Sequence, residues 1–262
     1  MAAPDPRQLP TFVIIGAMKS GTQSLHHYLG AHPDVFVTQP KEPNFFNLNE
    51  PSEQALADYG ARWFAGGEDA IARGEGSVNY TKRHRQGASA ERLARALPHV
   101  RLVMLMRDPV DRIRSHYRHG VAAGRIREPI ADALAASDNM VLTSLYAWQL
   151  EPYLERFPRS QIHLATAERL RAEPDAVVGE LCRFVGVDPA RAPAVEGERH
   201  RSDEKPSPDL FTEPGRFRRA RPIDTSGELP RRVARRVRRR LLPDVRRVRE
   251  LLGDEVDAWR LV

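Results

Sequence analysis

The stretch "FVIIGAMKSGTQSL", Phe12 to Leu25, sets four apolar residues in front of a loop with two glycines and one lysine, and a helix-forming run follows at once. A short apolar run that turns through glycines directly into a helix is the opening of a βαβ unit, and it commits the chain to a sheet whose strands return through crossover helices. In such a turn the loop N–H groups and the positive end of the helix converge on one point, which suits a tetrahedral anion.

The same alternation continues. The pattern predicts strands at Thr11 to Ile15, Val35 to Val37, Glu75 to Val78, Arg101 to Met106 and Gln161 to Ala165. Helices are predicted at Thr22 to Leu29, from an N-cap at Ser52 to Phe64, at Ala88 to Leu97, from a cap at Asp108 with Pro109 in the first turn, at Leu142 to Phe157 despite Pro152, and at Asp175 to Val185. The fold class expected is therefore α/β, a P-loop-like three-layer αβα arrangement around a parallel sheet of about four to five strands. Ligands of such sheets bind at the carboxyl ends of the strands, where Gly16 to Gln23 and Arg107 both fall. A single domain over 1–262 is expected, with a core at 11–187, an irregular region rich in Pro, Gly and charge at 190–227, and Arg-rich C-terminal helices at 228–262 interrupted at Pro243.

At 262 residues the chain can bury one substantial core, and 41% apolar with 29% charged content describes a soluble globular protein. The longest apolar runs are far short of a membrane span, and the start "MAAPDPRQLP" lacks a signal pattern, so the expected place is the cytoplasm. One cysteine, Cys182, leaves no intrachain disulfide and no multi-cysteine zinc site; no metal is expected. The net charge of +6 is concentrated, because residues 201–250 hold 16 basic and 8 acidic side chains and the rest 25 against 27. That run is either a solvated helix face or a surface for an anionic partner. Of 41 cationic side chains only Lys19, Lys41, Lys82 and Lys205 are lysines, and three of these fall beside candidate site residues, where a compact ammonium does what a planar guanidinium does not.

The loop "GAMKSGT" has the GxxxxG spacing of a nucleotide phosphate loop, but Thr22 stands where the usual lysine follows the second glycine, and the lysine lies inside the loop at position 19. This departure disfavours a metal-dependent NTPase. Together, "GAMKSGTQSL" and "RLVMLMRDPVDRIRSHYRH" resemble the two signatures of the PAPS-dependent sulfotransferase family, whose donor is 3′-phosphoadenosine 5′-phosphosulfate. The likeness extends through "KEPNFF", "GEGSVNY", "SLYAWQLEPYLERFP" and "AERLRAEPDAVVGELCRFVGV", covering roughly Phe12 to Val187, and is greatest to the branch with heparan sulfate and other carbohydrate sulfotransferases. The resemblance implies that Lys19 contacts the bridging and sulfuryl oxygens, that Ser20, Gly21, Thr22 and Gln23 hold the 5′-phosphate, and that Arg107 and Ser115 hold the 3′-phosphate. Elementary chemistry agrees for Lys19: charge builds on the departing phosphate oxygen, and a fixed ammonium stabilises it in the transition state.

In "KEPNFF" the resemblance makes Glu42 the general base; a pairing with Lys41 or Lys82 that only holds the loop is the alternative. His26 and His27 are rival bases on chemistry, with packing or surface roles favoured by their place on the second helical turn. Gly76 in "GEGSVNY" stands where that branch carries a lysine linked to catalysis, and Lys82 is the residue available to compensate. That branch's basic cofactor loop is matched only loosely by "PGRFRRARP", which nominates Arg219 for the nucleotide. The function expected is sulfuryl transfer to a hydroxyl, less readily an amine, of a small-molecule, glycan or lipid acceptor. The alternatives are a P-loop phosphotransferase using ATP, and an anionic-polymer-binding protein on an inactive sulfotransferase fold. The helical spacing of Val233, Val237, Leu241 and Leu242 favours packing of the Arg-rich helix and argues against nucleic acid as its partner.

Overall fold

The structure is a computed structural model that describes residues 3–85, 87–195, 226–259 and 261. In chain order the elements are β1 (Phe12–Gly16), α1 (Thr22–Gly30), β2 (Val35–Val37), α2 (Phe45–Leu48), α3 (Glu53–Trp63), β3 (Ala72–Gly76), α4 (Ser89–Ala96) and β4 (Arg101–Met106). They continue with α5 (Pro109–Ala122), α6 (Ile130–Ala136), α7 (Asn139–Leu142), α8 (Tyr146–Leu154), β5 (Ile162–Thr166), α9 (Ala167–Ala172), α10 (Pro174–Val185) and α11 (Arg231–Leu252). The five strands form one parallel sheet in the order β2-β3-β1-β4-β5.

The strands are apolar at successive positions because both faces of the sheet are covered. Phe12, Ile14, Val103 and Leu105 face a core shared with Leu25 and Leu29 of α1 and Val177, Leu181 and Cys182 of α10. Their neighbours Val13, Ile15, Leu102, Met104 and Met106 face the opposite way, onto α3, α4, α8 and Trp259. A third apolar cluster joins α5, α6 and α7 to Val237 and Leu241 of α11. From the adjacent strands β1 and β4 the chain departs in opposite directions, to β2 and to β5, so the crevice at their carboxyl ends is the switch point where such sheets bind ligands.

Helices α2, α6 and α9 were not expected, and three of the expected elements differ in extent. Strand β3 ends at Gly76 because its register is set by pairing with β1, Phe12 opposite Gly74. The helix expected over Leu142 to Phe157 runs only from Tyr146 to Leu154 as α8; Leu142 instead closes α7, and between the two the Ser144 hydroxyl lies within hydrogen-bond reach of the Met140 carbonyl at 3.1 Å and the Pro109 carbonyl at 3.3 Å. Pro243 does not interrupt α11, which is a single helix; the proline lies on its exposed side. Beside it the buried Asp244 accepts from the N–H groups of Ala147 at 3.1 Å and Trp148 at 2.9 Å, so α11 caps the start of α8. Among the described residues no helix is long and apolar enough to cross a membrane.

Replacing Asp244 by Ala leaves two N–H groups of α8 without their acceptor. The expected loss is about 1–2 kcal/mol of stability, measured as a lower urea midpoint with an unchanged slope.

Candidate active site

The glycine loop leaves β1 at Gly16, and no side chain fits there: a Cβ at Gly16 would lie 2.4 Å from the hydroxyl of Thr81. The chain after β3 therefore runs directly against the loop. Helix α1 opens at Gly21, whose φ of 94° is left-handed, and Lys19 takes the same handedness at φ 68°. An L-residue adopts that conformation at a cost, so Lys19 is held there by its surroundings. Ser20 and Thr22 are buried and Gln23 is exposed, with the Ser20 hydroxyl beside the phenol of Tyr146.

A second loop crosses the end of β3. Glu42 (φ 73°) and Asn44 (φ 56°) are the other non-glycine residues with left-handed backbone among those described. Hydrogen bonds fix them: Glu42 N–H donates to the Gly76 carbonyl at 3.1 Å, Asn44 N–H to Ser77 Oγ at 2.9 Å, and Asn44 Nδ2 to the Glu42 carbonyl at 2.8 Å. The Glu42 carboxylate accepts from Lys41 Nζ at 2.6 Å and from the Val78 N–H at 3.0 Å, and its side chain remains one-third exposed. The Lys41 side chain is nearly buried, and its Cε lies only 2.9 Å from where a Cβ at Gly76 would be. The absent side chain at position 76 is thus the channel through which Lys41 reaches Glu42. Beneath the loop, the buried Glu75 accepts from the hydroxyls of Tyr80 at 2.6 Å, Ser77 at 2.7 Å and Tyr59 at 3.2 Å. Burial raises its pKa to about 7 against these donors.

The third segment follows β4. Arg107 is half-buried, its carbonyl accepts from the Tyr146 hydroxyl at 2.8 Å, and the next N–H, of Asp108, donates to Glu168 at 3.0 Å. Asp108 caps α5 through the N–H groups of Val110 and Asp111, which turns Arg112, Ser115 and His116 into the buried face of that helix. Arg112 is fully buried, with no carboxylate of the described residues against its guanidinium; it donates to Ser144 Oγ at 2.5 Å, to the Met140 carbonyl, and to the Met18 carbonyl of the glycine loop at 3.5 Å. Burial lowers its pKa to about 10, with help from the charge of Arg107. Lys82 lies in the same region, its pKa brought to about 8 by burial and by the charges of Arg85, Arg112 and Arg125, against the pull of Glu42.

Lys82 thus feels the charges of Arg85, Arg112 and Arg125, and Arg112 that of Arg107, close to the glycine loop that Arg112 touches. Such a surplus of cations, two of them desolvated, suits a ligand with several negative charges. Among the described residues no group of three His, Cys, Asp or Glu side chains is placed to hold a metal ion.

Lys19, Ser20, Gly21, Thr22, Gln23, Glu42 and Arg107 lie on the loops and helix starts at the carboxyl ends of the strands, and Ser115 lies in the middle of α5 on its buried face. Arg219 lies outside the described residues. His27 is exposed, whereas His26 is buried and its Nε2 has no hydrogen-bond partner among the described residues. Burial and the Lys41 charge hold the His26 pKa at about 4, so it offers no stronger base than a carboxylate. Sequence reasoning did not single out Arg112 or Lys41 as site residues. No local spacing separates Arg112 from the other arginines of α5; the packing of the helix does.

The chain matches the sulfotransferase domain family over residues 9–209 and belongs to that family. It is 28% identical over 194 residues to mouse heparan sulfate glucosamine 3-O-sulfotransferase 3A1, covering 69% of this chain and 47% of the relative. It is 28% identical over 205 residues to human bifunctional heparan sulfate N-deacetylase/N-sulfotransferase 3, covering 70% of this chain and 23% of that protein. The chain thus spans half or less of these curated relatives. The crystal structure of a sulfotransferase from Alicyclobacillus acidocaldarius superimposes with a TM-score of 0.74 at 27% identity, covering 96% of this chain and 99% of the other.

The scarcity of lysine makes the charge state of Lys82 measurable. In NMR spectra of protein carrying 13C-labelled lysine, one of four side-chain signals is expected to titrate near pH 8, and to move to higher pH when adenosine 3′,5′-bisphosphate is added. The sign follows from charge: the ligand's anions favour the ammonium that neighbouring cations disfavour. Four lysines all titrating above pH 10 would remove the crowded cluster.

Proposed function

We propose that this protein transfers a sulfuryl group from PAPS to a hydroxyl, less readily an amine, of an acceptor molecule. The acceptor oxygen bonds to sulfur, the bond from sulfur to the 5′-phosphate oxygen breaks, the hydroxyl proton passes to Glu42, and adenosine 3′,5′-bisphosphate leaves. Family membership supports the reaction class, and the heparan sulfate relatives support a glycan among the possible acceptors.

One observation carries the assignment. Of the three non-glycine residues with left-handed backbone among those described, two are Lys19 and Glu42, the pair that the family resemblance nominates for the reaction. Strain of this kind persists where the surroundings over-determine it, and it clusters where geometry serves a reaction.

In this reading Lys19 meets the charge that develops on the departing oxygen, and Ser20 to Gln23 hold the 5′-phosphate with amide and hydroxyl donors. Arg107 and Ser115 hold the 3′-phosphate, with Arg112 supplying positive potential from beneath. Lys41 and the Val78 N–H each take one oxygen of Glu42, which orients the carboxylate and leaves its remaining lone pairs for the acceptor proton. In this reading the Lys41–Glu42 pair, which on the alternative only holds the loop, also orients the base. Lys41 also provides the second ammonium that Gly76 cannot.

Calorimetric titration is expected to register binding of adenosine 3′,5′-bisphosphate and none of ATP with magnesium. With an acceptor found by the mass gain of one sulfuryl group in a small-molecule or glycan extract, Lys19→Ala and Glu42→Gln are each expected to lower single-turnover rates by roughly 10² to 10⁴. Glu42→Gln should leave bisphosphate affinity nearly unchanged. Wild-type rates in Glu42→Gln would remove the base from the mechanism.

A further inference from the structure

The peptide unit between Arg107 and Asp108 is held at both of its polar atoms. Its carbonyl accepts from the Tyr146 hydroxyl at 2.8 Å, and its N–H donates to Glu168 Oε1 at 3.0 Å. Pinned from opposite sides, a planar amide resists turning, and the torsions that flank it set where the Arg107 side chain leaves the backbone and how Asp108 caps α5. The second oxygen of Glu168 is taken as well, by the indole N–H of Trp259 at 3.2 Å. Trp259 is buried, and its ring lies 5.8 Å from that of Tyr146.

Three distant segments meet here, each for a traceable reason. In the parallel ladder Met106 stands opposite Thr166, so two residues further on, past the ends of β4 and β5, Asp108 and Glu168 come level. Tyr146 is placed from α11, because Asp244 fixes the start of α8. Trp259 arrives from the chain that follows α11, beyond the residues 9–209 that match the family. A carboxylate bonded to the residue after a phosphate-binding arginine is at first sight misplaced, since its charge disfavours an anion. Each of its oxygens is instead occupied by an N–H donor, which makes Glu168 a brace between the C-terminal segment and the Arg107–Asp108 peptide.

We propose that Glu168 and Trp259, with Tyr146, are positioning residues for the donor's 3′-phosphate. The clamp they form on the Arg107–Asp108 peptide aims Arg107, and so sets the preference for a nucleotide phosphorylated at both ends over one phosphorylated at the 5′ end alone. The inference rests on the sulfotransferase reading and adds what fixes its donor specificity and why the C-terminal segment belongs to the site. Tyr146 also borders Ser20 of the glycine loop, so variants at Glu168 and Trp259 isolate the 3′ end.

Calorimetry on the full chain compares adenosine 3′,5′-bisphosphate with adenosine 5′-monophosphate in the unmodified protein, Glu168→Gln, Trp259→Phe and Tyr153→Phe. Trp259→Phe keeps a ring in place and removes the N–H, and Glu168→Gln leaves one acceptor for two donors. Both are expected to bind the bisphosphate about ten-fold more weakly and the monophosphate within about two-fold of the unmodified protein. For Glu168→Gln the sign is decisive, because loss of a negative charge would by itself tighten an anion, so weaker binding reports lost aim. Tyr153→Phe removes another buried α8 hydroxyl, one that donates to the Tyr80 carbonyl at 2.9 Å, and is expected to lower the urea midpoint while the ratio of the two affinities stays. An unchanged ratio in Trp259→Phe, tighter bisphosphate binding in Glu168→Gln, or an equal loss of both ligands overturns the proposal. Either variant decides alone if the other does not fold. An unmodified protein with no preference for the bisphosphate would instead overturn the sulfotransferase reading.

Discussion

The buried guanidinium of Arg112 organises the site. Its donors end on the Met18 carbonyl of the glycine loop, the Met140 carbonyl of α7 and the Ser144 hydroxyl between α7 and α8. One side chain thus ties the loop after β1 to the helices that follow β4. Hydrogen bonds satisfy it, but among the described residues no carboxylate cancels its charge, and an ion buried without a counterion is costly. The fold tolerates that cost beneath a loop whose N–H groups already favour an anion, so the same feature that strains the empty protein would strengthen the filled one.

A comparable economy governs the neighbouring loop. Glu42 is held in left-handed backbone by bonds to the end of β3, and its carboxylate is oriented by Lys41 and the Val78 N–H. Those contacts depend on Glu75 below, since Ser77 both donates to Glu75 and accepts from Asn44. Geometry at the exposed carboxylate is thereby set by groups with no access to solvent. Substitutions at Tyr59 or Tyr80, well away from any ligand, act on the same chain of bonds.

Much of this was legible in the sequence where the signals are local. The turn from β1 into α1 and the Asp108–Pro109 start of α5 are each written within a few residues, and both ends of the cofactor reading depend on them. What could not be read depends on contacts distant in the chain. Nothing local distinguishes Arg112 from Arg114 two residues on; only the direction in which α5 packs sends the first inward. The place of Gly76 was visible, and its consequence was not, because Lys41 arrives over it from a loop 35 residues earlier. Helix α2 escaped notice because its cap, Asn44, adopts a left-handed conformation imposed by Ser77 and Asn79.

The crowding around Lys82 reaches beyond ligand binding. An ammonium whose pKa has fallen to about 8 is partly a free amine at neutral pH, and a free amine is a nucleophile. Lys19, Lys41 and Lys82 are three of the four lysines in the chain, and all three stand at the same edge of the sheet. Acylating agents would therefore find three of the chain's four lysines at the candidate site.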